Sequence, residues 1–129
     1  MAKDELAHLS RRERQIMDVI YRRGRATAAE VLEDLPDPPS NPTIRTLLRI
    51  LEEKGHLRHT KDGPRYVYAP TRLRREAARS ALKRVLRTFF DGSMEKAVAA
   101  MLNLTDANVA TEELDRVARL IDEARKEGK

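Results

Sequence analysis

Arg45, Thr46 and Arg49 lie within five residues of one another and bring together two guanidinium groups, a hydroxyl group and a methyl group. A guanidinium is a planar fork that pairs with O6 and N7 of guanine, or with a phosphate, through two hydrogen bonds. A threonine hydroxyl can bond to a base edge, and its methyl group fits against the C5-methyl of thymine. A helix face that displays all three side chains can therefore read the edges of DNA bases.

Residues 42–54 are predicted to form such a helix. With Ile44 set at 0° and ~100° per residue, the apolar positions fall between about 300° and 40°; they are Leu47, Leu48 and Leu51. The polar positions fall between about 100° and 200°; they are Pro42, Arg45, Thr46 and Arg49. One face is thus predicted to pack in the core, and the other to bind DNA or, in the simpler interpretation, to face solvent.

The ends of this helix carry their own signals. Asn41 is predicted to cap its start, Pro42 to take its first position and Gly55 to end it. The DNA-binding residues predicted for this helix are Asn41, Pro42, Thr43, Arg45, Thr46 and Arg49.

The period of the sequence changes from 3.6 to 2 after this helix. Residues 57–61 and 65–69 favour two short strands, and Asp62 and Gly63 between them are typical of a hairpin turn. Lys61 and Arg65 on this hairpin are predicted to contact DNA phosphates. The alternative interpretation is that they only protect an exposed strand edge.

Two further helices precede this unit. Ser10 with Glu13, and Thr27 with Glu30, have the spacing of a capping box, and the first helix is predicted to run to Gly24. Three helices followed by a hairpin predict a winged helix-turn-helix over residues 1–70. The acidic residues near Glu30 and Asp34 are interpreted as a solvated helix face.

Residues 71–129 predict a second domain of three amphipathic helices. One covers residues 71–90, the next follows Ser93 and the last begins near Thr111. A unit of this size buries its apolar stripes poorly by itself, so we expect a homodimer. The predicted interface consists of Leu82, Val85, Leu86, Phe89, Val98, Met101, Leu102, Leu114, Val117 and Ile121.

The composition agrees with a mainly helical DNA-binding protein. The 129 residues have a formal net charge of +5, which favours a polyanionic partner, and aromatic residues are only 4%. The absence of cysteine excludes disulfides and thiolate-based metal sites. The longest apolar run, residues 97–102, is far shorter than the ~20 residues that span a membrane, so we expect a cytoplasmic protein without membrane insertion.

No catalytic or metal motif stands out. A phosphate-binding glycine loop, a His-Glu-x-x-His motif and a nucleophile elbow are all absent from the sequence, so we expect no enzymatic activity and no cofactor. His56 and His59 lie near Asp62, but residues three apart on a strand point to opposite faces. We therefore predict no metal site.

Taken together, several motifs resemble the penicillinase and methicillin-resistance repressor family (the BlaI/MecI/CopY type). They are Leu9-Ser-x-x-Glu13-x-x-Ile-Met-x-x-Ile20, Thr27-Ala-Ala-Glu-Val31, Thr43-Ile-Arg-Thr-Leu-Leu48, Leu51-Glu-x-Lys-Gly55, Tyr66-Val-Tyr-x-Pro70, Phe89-Phe-Asp-Gly-Ser93 and Val98-Ala-Ala-Met-Leu102. The resemblance implies a homodimeric winged-helix repressor of β-lactam-resistance-type genes. Its first domain would bind a double-stranded, pseudo-palindromic operator through Thr43, Arg45, Thr46 and Arg49, and its last three helices would dimerise.

The same resemblance implies how repression ends. Copper-responsive members carry a Cys-x-Cys motif, which this chain lacks. In β-lactam-responsive members a membrane sensor protease, or a protease downstream of it, leads to cleavage at an Asn–Phe bond. Ala100 and Met101 stand at the aligned position and form the predicted cleavage site.

Two other functions fit a winged helix. A MarR-like regulator would bind a small molecule between its domains, but few aromatic residues are available to line such a pocket. A protein-interaction adaptor would display apolar anchors where this chain has Arg45, Thr46 and Arg49.

Overall fold

A computed structural model of the chain describes residues 8–104 and 111–128. Six elements come first: α1 (Arg11–Arg23), β1 (Ala26–Thr27), α2 (Ala28–Asp34), α3 (Asn41–Glu53), β2 (Leu57–Asp62) and β3 (Arg65–Pro70). Three helices follow them: α4 (Arg74–Phe89), α5 (Met94–Leu104) and α6 (Thr111–Lys126). This order confirms the predicted fold, a winged helix followed by three helices.

The chain divides into two compact units, Met1–Val85 and Leu86–Lys129. The division falls within α4, of which Ala77 and Ser80 are buried. The boundary between a DNA-binding domain (residues 1–70) and a dimerisation domain (residues 71–129) stays a prediction. The predicted connection between α5 and α6 lies largely outside the described residues.

Both predicted capping boxes are confirmed. The backbone N–H of Glu13 donates to Ser10 Oγ at 3.1 Å, and the backbone N–H of Ser10 donates to the Glu13 carboxylate at 2.9 Å. Thr27 and Glu30 make the same reciprocal pair at the start of α2. Gly24 ends α1 with a φ of 85°, a conformation that costs a residue with a side chain more than it costs glycine.

The three strands form an antiparallel sheet in the order β1-β3-β2. β1 was not predicted, because a strand of two residues carries no detectable alternation. β2 and β3 pair from Leu57 with Pro70 to Asp62 with Arg65, which leaves Gly63 and Pro64 as the loop. Gly63 has a φ of 64° and proline fixes a negative φ, the sign pattern of a type II′ hairpin turn.

The core of the first unit positions α3. Ile44, Leu48 and Leu51 are fully buried among side chains of α1, α2 and the sheet. Full burial of each such side chain stabilises the fold by ~1.5–3 kcal/mol. The apolar face predicted for this helix is confirmed, although Leu47 is only partly buried.

Two predicted helix starts are wrong. Ser40 and not Asn41 caps α3, since the N–H of Thr43 donates to Ser40 Oγ at 3.3 Å. α4 begins at Arg74 and not at residue 71. Thr71 is held instead at the base of the hairpin, where its backbone N–H donates to the His56 carbonyl at 3.1 Å and its hydroxyl to the Gly55 carbonyl at 2.6 Å.

Candidate nucleic-acid interface

The polar face of α3 is open to solvent along its whole length. All six candidates on this helix are exposed: Asn41, Pro42, Thr43, Arg45, Thr46 and Arg49. The core residues on the other face have no accessible surface. The fold therefore brings these candidates together on one accessible surface, which we call the reading face.

Arg45 is oriented by its own helix. Its Nε donates to Asn41 Oδ1 at 2.7 Å, one turn earlier. No further hydrogen bond of its guanidinium is seen within residues 8–104 and 111–128, which leaves its terminal N–H groups for a ligand. Asn41 thus holds Arg45, and the prediction that Asn41 caps the helix is wrong.

Arg49 has a partner within the protein. Its Nη1 forms an ion pair with the carboxylate of Glu53, which sequence analysis did not foresee. Both side chains are more than 60% exposed, and an exposed i,i+4 pair contributes only ~0.3–0.5 kcal/mol. A phosphate or a guanine can therefore replace Glu53 at little cost.

The first turn of α1 holds α3 at both of its ends. Arg12 donates from Nη1 to the Pro36 carbonyl at 3.2 Å and from Nη2 to the Asp37 carbonyl at 3.0 Å, which fixes the loop before α3. Lys54 at the other end donates to Glu13 Oε2 at 2.9 Å. The predictions from sequence missed both contacts, because residues 24 to 41 positions apart in the chain give no local signal.

Glu13 is buried at this contact, and two influences act on its pKa. Burial alone raises the pKa, but hydrogen bonds from Lys54 and Ser10 outweigh burial and hold the pKa below its ordinary value of 4.5. Glu13 therefore stays ionised at neutral pH and keeps Lys54 in place.

The wing, residues 57–70, carries the other two candidates. Lys61 and Arg65 are both exposed, and Arg65 pairs with Asp62 at 3.2 Å. Both residues border a cleft of about 670 Å³ beside β1, which Arg25 and Thr27 also line. Arg25 is a basic residue of this surface that the sequence analysis did not single out.

The sequence predicted a solvated acidic face on α2, but carboxylates of this face form ion pairs with the end of α1. Arg23 at the end of α1 bonds to Asp34 at 2.8 Å, to Glu30 at 3.1 Å and to Glu33 at 3.4 Å. The hydrogen bond to Arg23 lowers the pKa of Asp34. The single positive charge of Arg23 offsets one of these three negative charges, so the acidic helix repels a polyanion less.

His56 and His59 have separate environments. His56 is buried at the turn after α3, whereas His59 is half-buried and places Nδ1 at 2.7 Å from both carboxylate oxygens of Glu52. Among the described residues, no group of three or more His, Asp and Glu is placed to hold a metal ion.

The residues predicted for a dimer interface are poorly covered within one chain. Leu82, Val85, Leu86, Phe89, Val98, Met101, Leu102, Leu114, Val117 and Ile121 are all exposed or half-buried. α5 and α6 bury none of their described residues.

Ala100 and Met101, the predicted cleavage site, lie inside α5, and Met101 is exposed. None of the helices in the described part of the chain is long and apolar enough to cross a membrane.

Comparisons with known proteins agree on one group of regulators. The family model described as "Penicillinase repressor" matches residues 9–123. The penicillinase repressor of Bacillus licheniformis is 26% identical over 121 residues, which cover 92% of this chain and 93% of that protein.

Two solved structures are also similar. The solution structure of the DNA-binding domain of the repressor BlaI is 33% identical, covers 55% of this chain and 88% of its own, and has a TM-score of 0.47. A structure of BpsR from Bordetella bronchiseptica, whose title concerns regulation of DNA binding by 6-hydroxynicotinic acid, is 11% identical. It covers 93% of this chain and 77% of its own, with a TM-score of 0.48.

Proposed function

We infer that this chain, which belongs to the penicillinase repressor family and is a DNA-binding transcriptional repressor, acts as a homodimer on a pseudo-palindromic operator. The reading face of α3 enters the major groove, and Lys61 and Arg65 of the wing contact phosphates beside it. The operator controls β-lactam-resistance-type genes, and the repressor acts in the cytoplasm.

One observation carries the role of α3. Six residues of suitable chemistry share its exposed face, while Ile44, Leu48 and Leu51 anchor the opposite face without any accessible surface. A helix held rigidly on one side and open on the other can place side chains against base edges reproducibly. Arg45, already held by Asn41, is the residue of choice for a bidentate contact to guanine.

The exposed apolar side chains of α4, α5 and α6 support homodimerisation. Phe89 is 69% exposed and Met101 is 56% exposed in the single chain. Large exposed apolar side chains that form a patch mark an interaction site in soluble proteins. A second copy offers the same stripes, and a two-fold dimer matches the symmetry of a palindrome.

Proteolysis within α5 is a suitable way to end repression. The bond between Ala100 and Met101 lies in a helix, so a protease must first open its hydrogen bonds. Because α5 buries none of its residues, little side-chain burial opposes local opening of this helix within one chain. Cleavage would separate α6 from the winged helix and remove part of the proposed interface. The protease is proposed to be a membrane sensor protease or a protease downstream of it.

Selection of bound duplexes from a random DNA pool tests this function directly. We expect the full chain to enrich an inverted repeat whose half-sites are one helical turn, or a multiple of it, apart. Arg119→Ala removes one exposed positive charge from α6, outside the proposed DNA-binding surface, and should enrich the same inverted repeat as the wild type. Enrichment of no sequence, or of an asymmetric single site, would contradict the proposal.

A further inference from the structure

A row of four side chains connects α3 to the wing. Glu52 of α3 accepts a hydrogen bond from Nδ1 of His59 in β2, at 2.7 Å from both carboxylate oxygens. The His59 ring stacks on Tyr66 of β3, with centroids 4.2 Å apart and planes inclined by 12°. Nζ of Lys61 lies over the same tyrosine, 5.7 Å from the ring centroid.

The register of the hairpin explains why these residues meet. His59 and Lys61 are two positions apart in β2 and so share one face of the sheet. Lys61 pairs directly with Tyr66, which makes His59 the diagonal neighbour of Tyr66. That face is the inner one, since Leu57 and Tyr68 on it are buried against the core.

The chemistry of Glu52 and His59 fixes which of the two donates the hydrogen bond. An ionised carboxylate only accepts hydrogen bonds, so Nδ1 of His59 carries the hydrogen, whether the ring is neutral or charged. The bond to Glu52 and the stack on Tyr66 hold the imidazole plane from two sides. Glu52 and His59 are about one-third exposed, so water competes for this bond less than at a fully exposed pair.

We propose that His59 is a positioning residue for DNA binding: it locks the wing to α3 and thereby places Lys61 against the phosphate backbone. This inference rests on the proposed function and assigns His59 a role through Tyr66, without a DNA contact of its own. The reading face and the wing then approach the duplex as one rigid surface, which avoids the loss of conformational freedom that a loose wing would suffer on binding.

The test is a double-mutant cycle on the selected operator, measured by fluorescence anisotropy at several salt concentrations. His59→Ala should weaken binding about fivefold, roughly the effect of losing one typical hydrogen bond, and should reduce the salt slope. In the Lys61→Ala background the same substitution should have a clearly smaller effect, because only Arg65 of the two proposed phosphate contacts on the wing remains to be positioned. Thr60→Ala, at the neighbouring position on the opposite face of β2, should bind like the wild type.

Two further variants distinguish positioning from general stability. His59→Gln retains a planar amide that can donate to Glu52 and lie on Tyr66, so it should recover most of the lost affinity. His59→Phe retains the stack on Tyr66 but leaves Glu52 without its hydrogen-bond donor, so this variant should recover only part of the lost affinity. The ring-proton NMR shifts of Tyr66 should change in His59→Ala and return towards wild-type values in His59→Gln.

Equal losses for His59→Ala in the wild-type and Lys61→Ala backgrounds would overturn this inference while leaving the proposed function intact. Unchanged Tyr66 resonances in His59→Ala would also overturn it. Absence of sequence-selective binding by the wild type would instead contradict the proposed function, and the inference would fall with it.

Discussion

At the scale of single residues, Arg45 separates reading of bases from attraction to phosphates. Arg45→Ala should weaken binding to the operator by ~1–3 kcal/mol and to random DNA much less, because a base contact carries sequence information and a phosphate contact does not. Competition titrations with operator and scrambled duplexes measure both losses. Equal losses on the two duplexes would make Arg45 a phosphate contact.

Glu13 gives a prediction about pH. Because its pKa is lowered in the folded state, its ionised form stabilises the fold at neutral pH, and this contribution is lost as the pH falls below 4.5 through the folded-state pKa. Glu13→Gln should lower the free energy of unfolding by ~1–2 kcal/mol at pH 7. The difference from the wild type should shrink in acid.

Urea unfolding between pH 7 and pH 3 measures this effect. Glu95→Gln removes an exposed carboxylate from α5 and is the matched control. A gap between the wild type and Glu13→Gln that stays constant through this range would show that ionisation of Glu13 does not support the fold.

Residue types and helical spacing sufficed to predict which side of α3 is exposed, because a period of 3.6 residues fixes the sides of a helix. Residue types and spacing did not suffice to predict which partners those side chains bind. Arg49 meets Glu53 and Arg45 meets Asn41 through the choice of one rotamer among several. The contact of Lys54 with Glu13 depends on the packing of two helices, which no local pattern encodes.

At the scale of elements, the wing is expected to add affinity without adding sequence preference. Lys61→Ala with Arg65→Ala should weaken binding to all duplexes alike and should flatten the salt dependence by about one counterion per residue. Binding isotherms from 50 to 200 mM salt give this slope. An unchanged slope in the double variant would remove the wing from the DNA-binding surface.

The elements themselves were largely predictable, because their boundaries carry local chemical signals. Capping boxes at Ser10 and Thr27 marked two helix starts, and the turn at Gly63 marked the hairpin. Errors occurred where tertiary contacts decide the boundary. Thr71 bonds to the chain after α3 and delays α4, and β1 exists only through its pairing with β3.

At the scale of the whole molecule, dimerisation is proposed to control occupancy of the operator. Joining two reading faces makes the second half-site contact intramolecular, which can raise the apparent affinity by ~10²–10⁴-fold without any new contact to DNA. A fragment ending at Phe90 should therefore bind a palindromic operator at least about tenfold more weakly than the full chain. A monomeric fragment that binds as tightly as the full chain would contradict this control.

Charged side chains in the exposed apolar stripes should reproduce that loss without altering the reading face. Leu102→Glu with Val117→Glu should shift sedimentation of the full chain towards the monomer and weaken operator binding by a similar factor. Arg119→Glu alone also lowers the net charge by two, at an exposed position of α6 outside the predicted interface residues, and is the matched control. A variant that sediments as a monomer yet retains full affinity would separate dimerisation from repression.

In the proposed function, two reading faces bind one operator together. The most direct measurement is a titration of the full chain, at fixed salt, on the selected inverted repeat and on a duplex of equal length in which one half-site is scrambled. We expect two chains per inverted repeat and an apparent affinity at least about 100-fold lower on the duplex with a single half-site. One bound chain per duplex, with equal affinity for both duplexes, would contradict it.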